Sequence, residues 1–172
     1  MTEFDVVCRV CEELDAACIA YKHLSHGAVS AIADCLPLVD RDTLFVKNYF
    51  LTTKNRKHFY LCLVRPEAHF RTSDISKQAG SSRLSFADEG LLPEKLHCYP
   101  GSVSPFGLLF DDGNTGLIVD TALKGAKKLA FHPCDNRHTL VLSAADFFGR
   151  YLPLVGREPI WVEVHDLEFN EG

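Results

Sequence analysis

The sequence predicts an α+β fold: a single compact domain, residues 1–172, with a mixed, largely antiparallel sheet flanked by helices. Three observations predict it. Strand-like runs come as hairpin pairs, as at 43–51 and 58–64. Helical stretches follow such pairs instead of alternating with strands one for one, which argues against a doubly wound parallel sheet. At 172 residues, with 47% hydrophobic and 24% charged side chains, the chain can bury one core without disulfide or metal staples.

The elements follow in order. Thr2 and Asp5 have the spacing of a capping box, opening an amphipathic helix to about Tyr21 with Phe4, Val7, Cys11, Leu14 and Cys18 on one face. A short helix is expected over Val29–Cys35, stopping before Pro37. Thr43–Leu51 is β-branched and aromatic and reads as one strand, with Lys54–Lys57 as a polar turn and His58–Val64 as the returning strand. Ser73–Ala79 reads as a helix ended by Gly80, and Ser85 with Asp88 as a second capping box before a helix to about Leu96. Pro100–Gly107 carries loop chemistry. Strands are expected at Phe106–Phe110, Gly116–Asp120, Lys128–His132, His138–Leu142 and Pro159–Val164, with a turn at Asp111–Asn114 and a helix capped by Ser143 running to about Leu154.

Charge and cysteine content exclude several function classes. A net charge of −5 argues against an indiscriminate nucleic-acid or membrane binder, though not against local basic patches. Seven scattered cysteines, an odd number, do not make a secreted disulfide framework. The acidic N-terminus lacks a signal-peptide pattern, and no run approaches the roughly 18 apolar residues of a membrane span. A reducing cytoplasm is expected. Cys8-x-x-Cys11 has no second ligand pair and His23-x-x-His26 has no completing carboxylate or thiol, so no metal site is expected and the cysteines read as packing. The nucleophile-elbow, P-loop, zinc-protease and dinucleotide patterns are absent. Cys134 beside His132 leaves a cysteine nucleophile open.

Three segments carry candidate chemistry. In Phe45–Phe50, Lys47 and Asn48 interrupt an apolar strand, and a lysine beside a pocket donates well to an oxyanion or phosphate. In Gly101–Gly107, glycine allows close backbone approach while Pro105 fixes φ, so backbone groups can aim into a cleft. In Phe131-His132-Pro133, a histidine ends an apolar strand with Asn136 nearby.

Taken in order, Leu44–Leu51, Arg83–Gly90, Tyr99–Leu109, Leu129–Pro133 and Thr139–Ser143 resemble the YbaK/prolyl-tRNA synthetase-associated editing domain superfamily, closest to its free-standing alanyl-tRNA(Pro) deacylases (ProX/PrdX). The resemblance covers about 23–154. It implies an α+β fold and a hydrolase that deacylates mischarged tRNA(Pro), most directly Ala-tRNA(Pro), without a cofactor. It makes Lys47, His132 and Gly101 the catalytic candidates. Asn48, Ser102, Val103, Ser104, Pro105, Phe106, His23 and Asn136 become the substrate-binding candidates. An aminoacyl ester is activated, so positioning and oxyanion stabilisation suffice for its hydrolysis. The implied partner is the acceptor end of tRNA(Pro), with prolyl-tRNA synthetase as a further candidate and neither DNA nor membrane expected. Lys54, Arg56 and Lys57, with Lys124, Lys127 and Lys128, are candidates for phosphate contacts. The run His23–Ala28 lacks the family's paired prolines, and Cys134 stands where asparagine is usual. Another substrate such as Cys-tRNA(Pro), or a non-catalytic tRNA- or synthetase-binding module, therefore stays open.

Overall fold

A computed structural model describes residues 2–27 and 39–164. The expected helix at Val29–Cys35 lies outside the described residues. Helix α1 spans Glu3–Ala16, and its capping box forms as the sequence dictates: Thr2 accepts from the Asp5 amide while the Asp5 carboxylate accepts from Thr2. The buried stripe is Val6, Val7, Val10 and Leu14; Phe4 and Cys18 are exposed, contrary to the expected face. The helix also ends five residues before Tyr21. Cys18 takes a left-handed φ of 56°, and the Arg150 guanidinium donates to the carbonyls of Ala17 and Cys18, satisfying the open end. The freed residues form β1 (Lys22–Ser25), a strand the sequence reading missed.

The expected strand over 43–51 is two strands, β2 (Thr43–Phe45) and β3 (Lys47–Thr52), separated at Val46. They belong to different sheets. With β4 (Phe59–Val64), β6 (Thr115–Asp120), β7 (Lys128–Phe131) and β8 (His138–Ser143), one sheet has the order β1-β8-β7-β2. The other has the order β5-β3-β4-β6-β9, where β5 is Ser85–Phe86 and β9 is Ile160–Val162. Pairing is mixed as expected: β1–β8, β7–β8, β3–β4 and β3–β5 are antiparallel, whereas β2–β7, β4–β6 and β6–β9 are parallel.

Helix α2 (Thr72–Ala79) ends at left-handed Gly80, as expected. Ser85 lies in β5, so the second capping box does not form. Asp88 is itself the cap, accepting from the Gly90 amide ahead of α3 (Leu92–Leu96). The expected strand Phe106–Phe110 is instead a tight helical turn, Pro105–Leu109. Pro105 pre-sets its first residue, Ser104 caps it, and a Cβ at Gly107 would stand 2.5 Å from the Leu96 carbonyl. Ser143 caps α4, residues 144–154, which widens into a π-type turn at Phe147–Tyr151.

Strand alternation divides the apolar residues. Even-numbered Val46 and Phe50 join Leu129, Phe131, Leu140 and Leu142 in the central core, along with Val10 and Leu14 of α1. Odd-numbered Tyr49 and Leu51 pack on the other face of their sheet, with Ile75 of α2. Phe45, Ala130 and Val141 form a third cluster on the outer face of the β1-β8-β7-β2 sheet.

Candidate active site

The outer face of the four-stranded sheet carries the site. Leu24 lies opposite Thr139, Val141 opposite Ala130, and Ala130 opposite Phe45. These residues form an apolar floor. Two residues beyond the Phe45–Ala130 pair, the two parallel strands reach Lys47 and His132. The Val46 amide still donates to the Ala130 carbonyl there, at 3.4 Å. β3 continues the alternation, so Lys47 faces outward beside Tyr49 and Asn48 faces the core side opposite Leu63. The Asn48 amide nitrogen donates to the Val46 carbonyl at 3.0 Å, pinning the break between the sheets, while its Oδ1 is buried without a partner among the described residues.

His132 is held by its backbone neighbours. Its Nδ1 is 2.7 Å from the carbonyl of His138. A carbonyl only accepts, so Nδ1 carries the proton and Nε2 presents a lone pair. Burial, reinforced by the nearby His26, pushes the His132 pKa below its ordinary 6.5 despite the bond to His138. The ring is therefore neutral at pH 7. His26 joins it from β1's end: its Nε2 is 2.8 Å from Thr139 Oγ1, and its ring meets His132 edge-on at 6.1 Å.

His23, the sequence candidate, is not in this group. Three residues apart on an extended segment, His23 and His26 point to opposite faces. His23 Nε2 lies 2.9 Å from His138 Nδ1 on the far side of the sheet. Sequence reasoning missed His26 and Thr139 because β1 was not recognised: Leu24 is the one apolar residue of Lys22–Ser25, so the strand carries no period-two signal.

The loop at 99–105 docks against the turn after His132. The Tyr99 hydroxyl donates to Asn136 Oδ1 at 2.9 Å and accepts from the Asn136 amide at 3.0 Å. Gly101 has φ +92°, and a Cβ there would lie 3.6 Å from Asn136 Nδ2. Asp135 is buried and clamped by Arg137 at 2.7 Å, which holds its carboxyl down at about 2. Both loop serines are fully buried and occupied. Ser102 Oγ accepts from the Tyr99 amide and donates to its carbonyl, while Ser104 Oγ accepts from the Phe106 amide. Val103 packs on the central core. Pro105 accepts from the Tyr151 hydroxyl at 2.7 Å, and Phe106 sits edge-on to Phe131 and Tyr151. The loop thus offers backbone, not side chains, to a ligand.

Side-chain nucleophiles are equally constrained. Cys134 is buried and donates to the Leu96 carbonyl at 3.8 Å, and the neighbouring Cys98 together with burial pushes its thiol well above its ordinary range. A thiol held protonated is a poor nucleophile. Among the described residues no cluster of three metal-ligating side chains occurs. The arrangement provides a cation, a neutral imidazole lone pair and a rigid backbone loop. Such a set suits water attack on an activated acyl group.

The basic candidates are spread out. Lys54, Arg56 and Lys57 are exposed at the turn of the β3–β4 hairpin, the end remote from Lys47. Lys124 lies over the Trp161 ring at 4.2 Å, and Lys127 is exposed. Lys128 is engaged by Asp40 at 3.0 Å and Asp42 at 3.8 Å, beside a cavity of about 280 Å³ at the far end of the outer face.

The sequence profile described as the aminoacyl-tRNA editing domain matches residues 26–149. The chain belongs to this family. It is 32% identical over 154 residues to prolyl-tRNA synthetase associated domain-containing protein 1 of Mus musculus, covering 87% of this chain and 90% of that one. It is 32% identical over 146 residues to the prolyl-tRNA editing protein ProX of Acetoanaerobium sticklandii, covering 84% and 89%. The fold matches a solved structure of a candidate trans-editing enzyme for prolyl-tRNA synthetase with a TM-score of 0.71 at 15% identity, over 94% of this chain and 97% of that one. The editing-domain fold and a prolyl-tRNA editing function at family level follow. No described helix is long and apolar enough to cross a membrane.

Proposed function

We propose that this chain is one trans-acting editing domain that hydrolyses the ester of mischarged tRNA(Pro), with Ala-tRNA(Pro) as substrate. The observation that supports the reading is the parallel β2–β7 pairing, which carries Lys47 and His132 to the same end of their strands, with Gly101 close to Asn136 in the turn after His132. Lys47 stabilises negative charge developing on the ester carbonyl oxygen. His132 Nε2 accepts a hydrogen bond from the attacking water. Backbone groups of residues 101–105 hold the terminal adenosine. Water adds its oxygen to the carbonyl carbon, the carbon–oxygen ester bond breaks, and the ribose oxygen takes the proton. The products are free amino acid and intact tRNA. No metal or organic cofactor enters this scheme.

Substrate choice follows from size. A synthetase pocket built for proline excludes smaller residues weakly, and a second, smaller site clears them while sparing the correct product. Prolyl-tRNA synthetase is then the source of the substrate and a candidate partner in the cytoplasm. The test is hydrolysis of Ala-, Cys-, Ser- and Pro-tRNA(Pro) by the pure protein. Cleavage of Ala-tRNA(Pro) with Pro-tRNA(Pro) spared is expected. Preference for Cys-tRNA(Pro) would correct the substrate, and cleavage of none would make the chain a binding module.

A further inference from the structure

The face of β3 that carries Lys47 continues to half-buried Tyr49 and buried Leu51, and the edge strand β5 sets Phe86 directly opposite Leu51. The Phe86 ring lies 5.9 Å from the Tyr49 ring, tilted by 52°. Tyr49 in turn meets Phe70 edge-on at 4.9 Å. Phe86 is 63% exposed. A single exposed aromatic residue is ordinary on a protein surface. This one is the open end of a three-ring cluster, and one strand connects that cluster to the lysine of the candidate site.

Cations bracket the rings. Lys47 stands at one end of the hairpin, and exposed Lys54, Arg56 and Lys57 stand at the other. Exposed Arg83 precedes β5 by two residues. Aromatic faces interleaved with basic side chains are what single-stranded nucleic acid requires: bases stack on the rings while phosphates lie against the charges. Sheet pairing fixes the backbone beneath Phe86, so little ordering cost attends binding.

We propose that Phe86, backed by Tyr49 and Phe70, is a stacking platform for an unpaired base adjacent to the terminal adenosine of an aminoacylated RNA 3′ end. The identity of the RNA rests on the editing function proposed above. Leu51, beside Phe86, is four residues from Lys47, about 13 Å along an extended strand. Two steps of a stacked single strand, at about 3.4 Å each, would cover only about 7 Å. With the terminal ester at Lys47, the two preceding bases reach the platform when the single-stranded end is splayed out of its stack, the form in which unpaired RNA ends are recognised.

The experiment uses the whole chain and an RNA stem-loop with a single-stranded CCA end carrying alanine through a non-hydrolysable amide. Binding is measured for wild type and Phe86→Ala, each with the intact RNA and with RNAs abasic at either cytidine. Phe86→Ala is expected to weaken binding of intact RNA about tenfold. One abasic RNA is expected to lose the same factor against wild type and nothing further against Phe86→Ala. Phe86→Tyr keeps the ring and is expected to retain binding. Thermal melting checks that each variant is folded, which the exposure of Phe86 favours. Additive losses at both cytidines, unchanged binding by Phe86→Ala, or a change in oligomeric state with unaltered RNA binding would overturn the platform. Because the analogue is not cleaved, this result stands apart from the hydrolysis panel. Cleavage without coupling rejects the platform alone, and coupling without cleavage rejects the enzyme alone.

Discussion

His132 donates its Nδ1 proton to the backbone carbonyl of His138 across 2.7 Å. That one bond fixes the tautomer, and burial keeps the ring neutral by holding its pKa below 6.5. An unfolded chain takes up the proton near 6.5, whereas the folded chain resists until lower pH. The unfolded state therefore binds more protons in that window, and stability falls as pH drops below about 6.5, with no contribution above it. His138 adds to the effect, because burial lowers its pKa too. Melting temperature followed from pH 8 to 5 should decline below 6.5 and decline less in His132→Gln. The acid limb of kcat/KM should lie below 6.5; a limb at or above that value would remove His132 Nε2 from the chemistry.

Lys47→Ala should lower kcat by about 10²–10³, the usual loss on removing one donor to a developing oxyanion. The residue is only partly buried at the first position of β3, so the variant should keep its fold. Near-normal hydrolysis of Ala-tRNA(Pro) by a folded Lys47→Ala protein would dismiss its assigned role.

Why Lys47 sits where it does was only half legible in the sequence. Its outward face follows from strand alternation, and the residue types of 44–51 plainly read as strand. The break at Val46 did not show, because Phe45, Val46 and Phe50 are apolar on both sides of it and only the tertiary pairing separates them into two sheets. Helix signals were more dependable where a cap is a local hydrogen bond, as at Thr2, Gly80 and Ser143. They failed at Ser85, whose backbone was claimed by the edge of β3. The apolar run Phe106–Leu109 has strand composition, yet Pro105 and the approach of Gly107 to Leu96 impose a turn. Among the site residues, Lys47, His132 and Gly101 stood out by chemistry, while His26 and Thr139 depended on a cross-strand pairing that no local pattern announces.

Gly101→Ala should cost both stability and activity. At φ +92° an L-residue is strained by about 1–2 kcal/mol, while the new Cβ meets Asn136 at an ordinary 3.6 Å, so the penalty is conformational and not a clash. Gly80→Ala is the matched control: φ is +67°, nothing lies within 4 Å, and it ends α2 away from Lys47 and His132. Both variants should melt earlier by similar amounts, but only Gly101→Ala should lose kcat. Equal kinetic losses would mean that the loop backbone has no part in positioning the substrate.

Salt dependence separates the basic residues that meet phosphate from those already neutralised. Lys54, Arg56 and Lys57 are exposed and begin seven residues beyond Lys47, about 23 Å along the hairpin, a span suited to the stem above a bound acceptor end. Each phosphate contact contributes about 0.7–0.9 to the slope of log K against log salt. Replacing all three with glutamine should therefore flatten that slope by about 2–3 if each contacts one phosphate. Lys128 offers the contrast, since Asp40 and Asp42 hold its ammonium and raise its pKa, the Asp40 hydrogen bond contributing most. Lys128→Gln should leave the slope unchanged. A triple variant with the wild-type slope would move the RNA path off this hairpin. A large effect at Lys128 would mean that the acceptor stem displaces its aspartates and runs along the opposite end of the outer sheet face.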